Sequence, residues 1–432
     1  MNKTNTHVIE NENSDFETQA VPQNKRKSFF SITIVWTGFV FLVTSMMAGG
    51  GLAKGLSLKE IITATLAGNI FLSILSIAIC IIASKTGLSF ALITRYSFGH
   101  KGSKIATLFV PIVNIGWYTI QSAIYGHFIA SILGIEGTGE LILMFISAIV
   151  MGVFALIGME ALTVLGYVAI PAVIYLSLGA AIKATNMGGF EHLVNYIPQV
   201  SMNMIDGMGI VIGTWILSTA TCIADIMRFA KSTKEAIIST VLGLVVGNSL
   251  LIICGAIAAI GSNQSDLCVM LLSMGVVIPS FVLMTTNIFT TNAANLYSTS
   301  LNLSNSFNMD RKKLIVIILV ISGLLTFIRP NEIGNLFVFL DTLGKIVPPL
   351  AGIIISDYYV VHKGNYGSLE DAKKLSFNIA PWLTWAVTLV FVFKIHWGLA
   401  ALNGIVISMI LYVIISLIFK TKTKEGVVSY GK

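Results

Sequence analysis

The sequence predicts an all-α integral membrane protein of twelve transmembrane helices, from its apolar content, the length of its apolar runs and the alternation of charge between them. Of 432 residues, 55% are hydrophobic and 11% are charged, and the mean hydropathy is +0.85. A soluble domain needs far more polar surface to cover its core. A bilayer core takes about 20 apolar residues per helix, which leaves room for about a dozen spans.

The spans fall near residues 29–50, 61–84, 105–133, 141–158, 162–182, 207–225, 236–260, 267–296, 313–328, 335–356, 379–394 and 398–419. Cytoplasmic loops carry the excess of Lys and Arg, and alternate connections do so here. Lys25, Arg26 and Lys27 precede the first span; Lys85, Arg95, Lys101 and Lys104 follow the second; Arg228, Lys231 and Lys234 follow the sixth. Arg311, Lys312 and Lys313 follow the eighth, Lys363, Lys373 and Lys374 the tenth, and Lys420, Lys422 and Lys424 the twelfth. Both termini are therefore expected on the cytoplasmic side of the membrane.

Composition also excludes several classes. The net charge of +7 resides in short clusters between apolar runs, where membrane orientation explains it better than nucleic-acid binding. Cys80, Cys222, Cys254 and Cys268 lie in or beside apolar runs without metal-ligand spacing, so neither a disulfide nor a metal framework is expected. Residues 1–27 are polar, contain no signal-peptide core, and read as a disordered cytoplasmic tail. Residues 420–432 read as a second tail. No hydrolase, phosphate-loop or metal motif points to an enzyme, and no obligate protein partner is evident.

Spans 3 and 8 are long, and spans 1 and 6 carry Gly38, Gly49 to Gly51, Gly207, Gly209 and Gly213. Positions 1 and 6, then 3 and 8, correspond in a five-plus-five inverted repeat over 28–182 and 207–356, with two further helices over 379–419. Broken helices in such a repeat expose backbone where substrate and ion bind. Glycine in membrane helices also serves close packing, and no residue-by-residue repeat is visible.

Three segments carry candidate chemistry. Asn287, Thr290 and Thr291 share one helical face at i, i+3 and i+4. Their neutral hard oxygens suit Na⁺, although such groups more often bond neighbouring helices. Span 3 holds Asn114, Trp117, Tyr118, Gln121 and Tyr125, a polar and aromatic stripe that could stack and edge-bond a flat heterocycle, or simply pack. Span 6 offers Gly213, Thr214, Trp215 and Ser218 on adjacent turns. Asp341 and Lys345, at i and i+4, read as a self-neutralising pair. Asp225 and Arg228 read as an ion pair at the end of span 6.

An ordered series of motifs then extends over nearly the whole chain: Ser45-Met-Met-Ala-Gly-Gly50, Gly55-Leu-Ser57, Lys85-Thr-Gly87, Arg95-Tyr-Ser-Phe-Gly99, Gly116-Trp117, Ala161-Leu-Thr-Val-Leu165, Ala224-Asp-Ile-Met-Arg-Phe229, Asn287 to Tyr297, Pro348-Pro349 and Ile355-Ser-Asp-Tyr358. The series resembles the nucleobase:cation symport-1 family. That resemblance implies a LeuT-type fold with helices 1 and 6 broken, and import of cytosine with sodium by alternating access. It implies a sodium site from the carbonyls of Gly38 and Phe41 with the side chains of Asn287, Thr290 and Thr291. It further implies a base stacked between Trp117 and Trp215, with edge contacts from Asn114, Ser218 and Asn292; backbone groups freed near Gly213 and Thr214 could bond the ring edge as well. Three departures stand out: Asn114 replaces Gln of the family's cytosine permeases, Asn292-Ala293-Ala294 replaces Asn-Asp-Asn, and span 6 holds one extra residue between Gly213 and Asp225. The first leaves a purine, hydroxymethylpyrimidine or allantoin-like cargo open. A channel or a non-transporting sensor is the reading from another class.

Overall fold

Many of the chain's apolar side chains face outward, around a buried apolar core, and many of its polar ones face inward. Ile74, Ile112, Ile182, Val338, Val390 and Leu417 are exposed, whereas Asn69, Asn248, Asn287 and Asn292 are buried. That inversion fits a bundle whose solvent is lipid, since a soluble monomer rarely leaves so much apolar surface uncovered. The structure is a computed structural model that describes residues 16, 19–157, 159–307, 309–395 and 397–423. Of the tails expected over 1–27 and 420–432, residues 1–15, 17, 18 and 424–432 lie outside the described residues.

The described residues are all-helical. The first bend joins α1 (Phe29–Val40) to α2 (Val43–Leu52) at 49°. Then come α3 (Leu58–Thr86), α4 (Phe90–Thr107), α5 (Phe109–Leu133), α6 (Thr138–Ile157), α7 (Met159–Gly188) and the short α8 (Phe190–Val194). The second half holds α9 (Met204–Ala220), α10 (Cys222–Met227), α11 (Thr233–Val241), a π turn over Leu242–Asn248, and α12 (Ser249–Ser262). After the short α13 (Leu267–Ser273) follow α14 (Val277–Phe307), α15 (Arg311–Leu325), α16 (Ile333–Ser356), α17 (Leu369–Lys374), α18 (Ala380–Lys394) and α19 (Ala400–Thr423). By length and composition, Leu58–Thr86, Thr233–Ser262, Ile333–Val361 and Ala400–Phe419 each suffice to cross a membrane, and the bent α1–α2 pair makes a fifth.

Several sequence expectations are corrected. The residues assigned to the start of span 8 form α13, and α14 begins only at Val277. Gly275 between them has φ +66°, a left-handed conformation that ends a helix. Pro279 then sits in the first turn of α14, where its missing N–H costs nothing. Span 6 does break, but at Thr221 (φ −130°, ψ −70°) rather than at its glycines. Helix α9 runs unbroken through Gly213, where an added Cβ would lie 2.3 Å from the Leu340 carbonyl oxygen; this glycine permits α9 to approach α16. The glycines of α2 act likewise. A Cβ on Gly49 would lie 1.9 Å from the Ile252 carbonyl oxygen, and one on Gly255 would lie 2.0 Å from that of Met46, so α2 and α12 meet backbone to backbone.

The end of the N-terminal tail is docked, not disordered. Val21 donates its N–H to Gly87 O (2.9 Å), Lys27 to Phe229 O (2.7 Å), and Arg26 Nη1 reaches Ser84 O and Ala230 O. Arg26 thereby satisfies a carbonyl at the end of α3 that no helical N–H can reach. At the other terminus α19 continues to Thr423, beyond the boundary at 419.

Two apolar clusters form the core, one centred on α2, α5, α12 and α14 and the other on α3, α9 and α16. Trp117, Met208 and Phe339 pack against both. Of the candidate residues, Trp117 thus lies on the seam between the clusters.

Candidate functional site

Breaking a helix releases backbone groups that must find partners in an apolar interior. Between α1 and α2 the chain takes φ −77°, ψ 83° at Phe41 and an extended conformation at Leu42. The Leu42 N–H bonds Val40 O at 2.9 Å instead of the Gly38 carbonyl a regular helix would offer, and Ser45 N–H bonds Leu42 O at 3.0 Å instead of Phe41 O. Asn287 of α14 supplies what is missing. Its Nδ2 donates to the Phe41 carbonyl at 3.0 Å, and its Oδ1 accepts from the Val43 N–H at 3.1 Å. Only one orientation of the amide matches a backbone acceptor on one side and a donor on the other.

Thr290 and Thr291 stand one turn further along α14. The Thr290 hydroxyl donates to the carbonyls of Thr286 (2.7 Å) and Asn287 (3.0 Å), and the Thr291 hydroxyl donates to Asn287 O (2.8 Å). Each hydroxyl proton is thereby held by its own helix, while the oxygen lone pairs stay available to a cation. Of the row expected from the i, i+3, i+4 spacing, Asn287 reaches the helix break.

On α5, Asn114 is buried and Trp117 is half-buried, its ring 5.2 Å from Phe339 and nearly perpendicular to it. Asn292 is fully buried beside this stretch, and its Nδ2 approaches Tyr118 O (3.2 Å), Ser122 Oγ (3.0 Å) and Met151 Sδ (3.2 Å). Its Oδ1 has no protein partner, nor has Oε1 of Gln121, which is 2% exposed. Two buried amide oxygens without donors cost about 1–3 kcal/mol each, and such oxygens suit the N–H edge of a ligand. Tyr118 and Tyr125 point elsewhere: Tyr118 bonds the Ala148 carbonyl of α6, and Tyr125 bonds Thr285.

Trp215 of α9 is buried and meets Phe39 edge-on, with ring centroids 5.6 Å apart. Its indole N–H is anchored by Asn248 Oδ1 at 3.0 Å and faces Ser45 Oγ at 3.3 Å. Asn248 closes the π turn, donates to Asn69 Oδ1 at 2.8 Å and reaches Thr214 Oγ1 at 3.4 Å, while Asn69 donates to Ser249 Oγ at 2.8 Å. Thr214 and Ser218 are half-buried one turn apart. Sequence reasoning missed Asn69 and Asn248. The only available signal was a single amide in each of two apolar runs.

Of the remaining ionisable residues, Lys345 and Asp341 pair at 2.5 Å as their spacing predicts. Asp225 instead accepts the Phe90 N–H at the start of α4 (2.9 Å), while Arg228 Nε bonds the Asp225 main-chain carbonyl at 3.2 Å. A hollow of about 600 Å³ lies on α7 against Pro171, Ile174 and Tyr175, none of them a candidate residue.

A bundle with a bent first helix, a buried amide bridging the bend and aromatic residues packed between its two cores suits a membrane transporter better than an enzyme. Comparison with known proteins agrees. The chain belongs to the family of permeases for cytosine/purines, uracil, thiamine and allantoin, which it matches over residues 20–421. It is similar to the cytosine permease of Escherichia coli K12, at 30% identity over 416 residues, covering 95% of this chain and 96% of that protein. Among solved structures it resembles the inward-facing conformation of Mhp1, with a TM-score of 0.82, 20% identity and 93% of each chain covered. It also resembles the closed conformation of Mhp1, described as a nucleobase-cation-symport-1 family transporter with bromovinylhydantoin bound. There the TM-score is 0.76 at 19% identity, with 95% of this chain and 96% of that one covered.

Proposed function

We propose that this permease imports cytosine by sodium symport. The observation that carries the reading is the Asn287 amide bridging the interruption of helix 1, because this member of the neutral Asn287, Thr290 and Thr291 row meets the backbone of the break in a buried interior. Sodium would be held as co-transported cargo by the carbonyls of Gly38 and Phe41 and by Asn287, Thr290 and Thr291. Neutral oxygens compensate the loss of water around a monovalent cation without burying a carboxylate.

The base would stack on Trp117, with Trp215 on the opposite side. Asn114, Asn292, Thr214 and Ser218 would meet its edge, and the unpartnered oxygens of Asn292 and Gln121 favour a ring rich in N–H donors. The backbone of Gly213 lies within an unbroken helix, so its part in this reading is to bring α9 close to α16. The extra residue in span 6 leaves the register of Trp215 and Ser218 to be tested by substitution. Twelve spans in two inverted five-helix repeats, over 28–182 and 207–356, would rock about this centre. Both termini would face the cytoplasm of a bacterial inner membrane.

The deciding measurement is uptake of labelled cytosine into proteoliposomes under an imposed sodium gradient, challenged with unlabelled bases. Accumulation above the outside concentration only when sodium is present supports symport and excludes a channel. Equal accumulation without sodium refutes the coupling. Competition by a purine or allantoin but not by cytosine would replace the cargo while leaving the ion site intact.

A further inference from the structure

We propose that His127, Asp266 and Cys268 form a binding site for one Zn²⁺-type cation that ties α13 to α5. His127 is far in sequence from the neighbouring pair Asp266 and Cys268, yet a ring nitrogen, a carboxylate oxygen and the thiol sulfur all lie within 4.8 Å of one another. They stand at the end of the bundle where α5 meets α6 and α12 meets α13, outside the substrate seam. A nitrogen, oxygen and sulfur donor set suits a borderline-soft divalent ion in tetrahedral geometry, whereas Na⁺, Mg²⁺ and Ca²⁺ require oxygen throughout.

The surroundings of His127 supply the second argument. Its Nδ1 lies 2.6 Å from Glu140 Oε1 and its Nε2 lies 3.2 Å from Asp266 Oδ2. Carboxylate oxygens only accept, so a neutral imidazole with one proton leaves one of these contacts repulsive. A positive species must stand between Nε2 and Asp266, either a second proton or a metal ion. A proton would satisfy His127 and Asp266 and leave the Cys268 thiol on its long bond to the Ile124 carbonyl at 3.8 Å; a metal ion engages all three. Arg329 Nη1 holds the other Glu140 oxygen at 3.0 Å and faces Glu332 at 3.8 Å. Glu140 is thereby fixed where it can keep the proton on Nδ1 and aim the Nε2 lone pair at the metal, the usual partnership of a carboxylate with a ligating histidine.

The protein is already shaped for such a site. Asp266 Oδ1 caps α13 by accepting the N–H groups of Cys268 (2.8 Å) and Val269 (3.0 Å), which leaves Oδ2 free to ligate. Cys268 is buried, while the Asp266 side chain is 37% exposed, so the ion would enter past the carboxylate and keep a water as its fourth ligand. Binding would release the thiol proton, and the second imidazole proton where present, to solvent. Thiolate and carboxylate would then neutralise the two positive charges. Because α13 packs against α2, α5 and α14, the ion would restrain an element that touches both the bent helix and the ion-row helix, and would slow transport.

The test uses the full-length chain in detergent, with Co²⁺ as a spectroscopic probe and Zn²⁺ as competitor. One equivalent of Co²⁺ should give a tetrahedral spectrum with thiolate-to-metal absorption, displaced by Zn²⁺. Cys268→Ser should abolish the thiolate band, and Glu140→Gln should weaken binding roughly 10- to 100-fold. Asp266→Asn, which keeps an oxygen to cap α13, should weaken binding without lowering the metal-free melting temperature, and serves if Cys268→Ser does not fold. A cobalt spectrum without thiolate absorption, or equal affinity in all variants, reveals an adventitious ion only and overturns the site. Absence of binding at neutral pH overturns it in favour of a protonated histidine. These readouts do not depend on the cargo or on sodium coupling.

Discussion

The Asn287 side-chain amide donates to the Phe41 carbonyl at 3.0 Å, joining α14 to the point where helix 1 gives way. This bond and its companion to the Val43 N–H at 3.1 Å make one side chain responsible for two backbone groups that the break would otherwise strand. Asn287→Asp preserves the size and the acceptor but sets a carboxylate oxygen against the Phe41 carbonyl. It should cost about 1–3 kcal/mol, read as a lower melting temperature in detergent together with loss of uptake. Unchanged melting would show that the bend does not depend on this amide.

Thr290→Ala and Thr291→Ala should separate ion binding from folding. Each hydroxyl donates only to its own helix, and such bonds add little stability because the same carbonyls are already used by backbone N–H groups. Melting should therefore hardly change, while the sodium concentration for half-maximal uptake should rise about tenfold or more, a loss of ~1.4 kcal/mol per tenfold. Thr286→Ala is the control, since its hydroxyl makes the same kind of bond to Val282 O at 2.8 Å one turn before the row. Equal loss in all three variants would assign the effect to the helix rather than to the ion.

The apolar runs marked the long helices and the local spacing put Asn287 on one helical face with Thr290 and Thr291, because both signals are carried by neighbouring residues. Contacts between distant segments were not legible. Asn69 and Asn248 each read as a lone amide in an apolar run, and nothing in either neighbourhood announces that they meet at 2.8 Å. Cys268 read as a small hydrophobe, and only the fold brings His127 to it. The glycines misled in a physical way: at Gly49, Gly213 and Gly255 the missing Cβ admits a neighbouring backbone, while the breaks occur at Phe41 to Leu42 and at Thr221, where no glycine signals them. The docked tail was hidden too, since the residues around Arg26 look polar and detached until the end of α3 is set beside them.

Asn248 should act on the substrate through Trp215. Its side chain holds the indole N–H at 3.0 Å and is itself held by Asn69 at 2.8 Å, so the ring's orientation depends on an amide outside the seam. Asn248→Leu should leave the indole and Asn69 without these partners, costing about 1–3 kcal/mol for each buried group, and should raise KM more than it lowers the maximal rate. Asn69→Ala should give a weaker version of the same pattern. Quenching of Trp215 fluorescence by the base, measured against a Trp215→Phe background, follows the ring directly; quenching unchanged by Asn248→Leu would refute the positioning role.

Gln121 allows a sharper distinction between structure and function. Its Oε1 is buried without a protein partner, so the side chain bears a desolvation penalty that folding alone does not explain. Gln121→Leu nearly conserves volume and removes the orphan oxygen. If that oxygen is kept for a donor on the transported ring, the variant should melt at the same or a higher temperature while the affinity for the base falls roughly tenfold or more, the loss expected when a buried hydrogen bond to a ligand disappears. The stabilisation that saturating base gives to melting should shrink in parallel, because a ligand stabilises the native state in proportion to the logarithm of its concentration over Kd. A variant that melts lower yet keeps its affinity would mean that Gln121 serves the packing of α5 and that the donor edge of the base is met elsewhere.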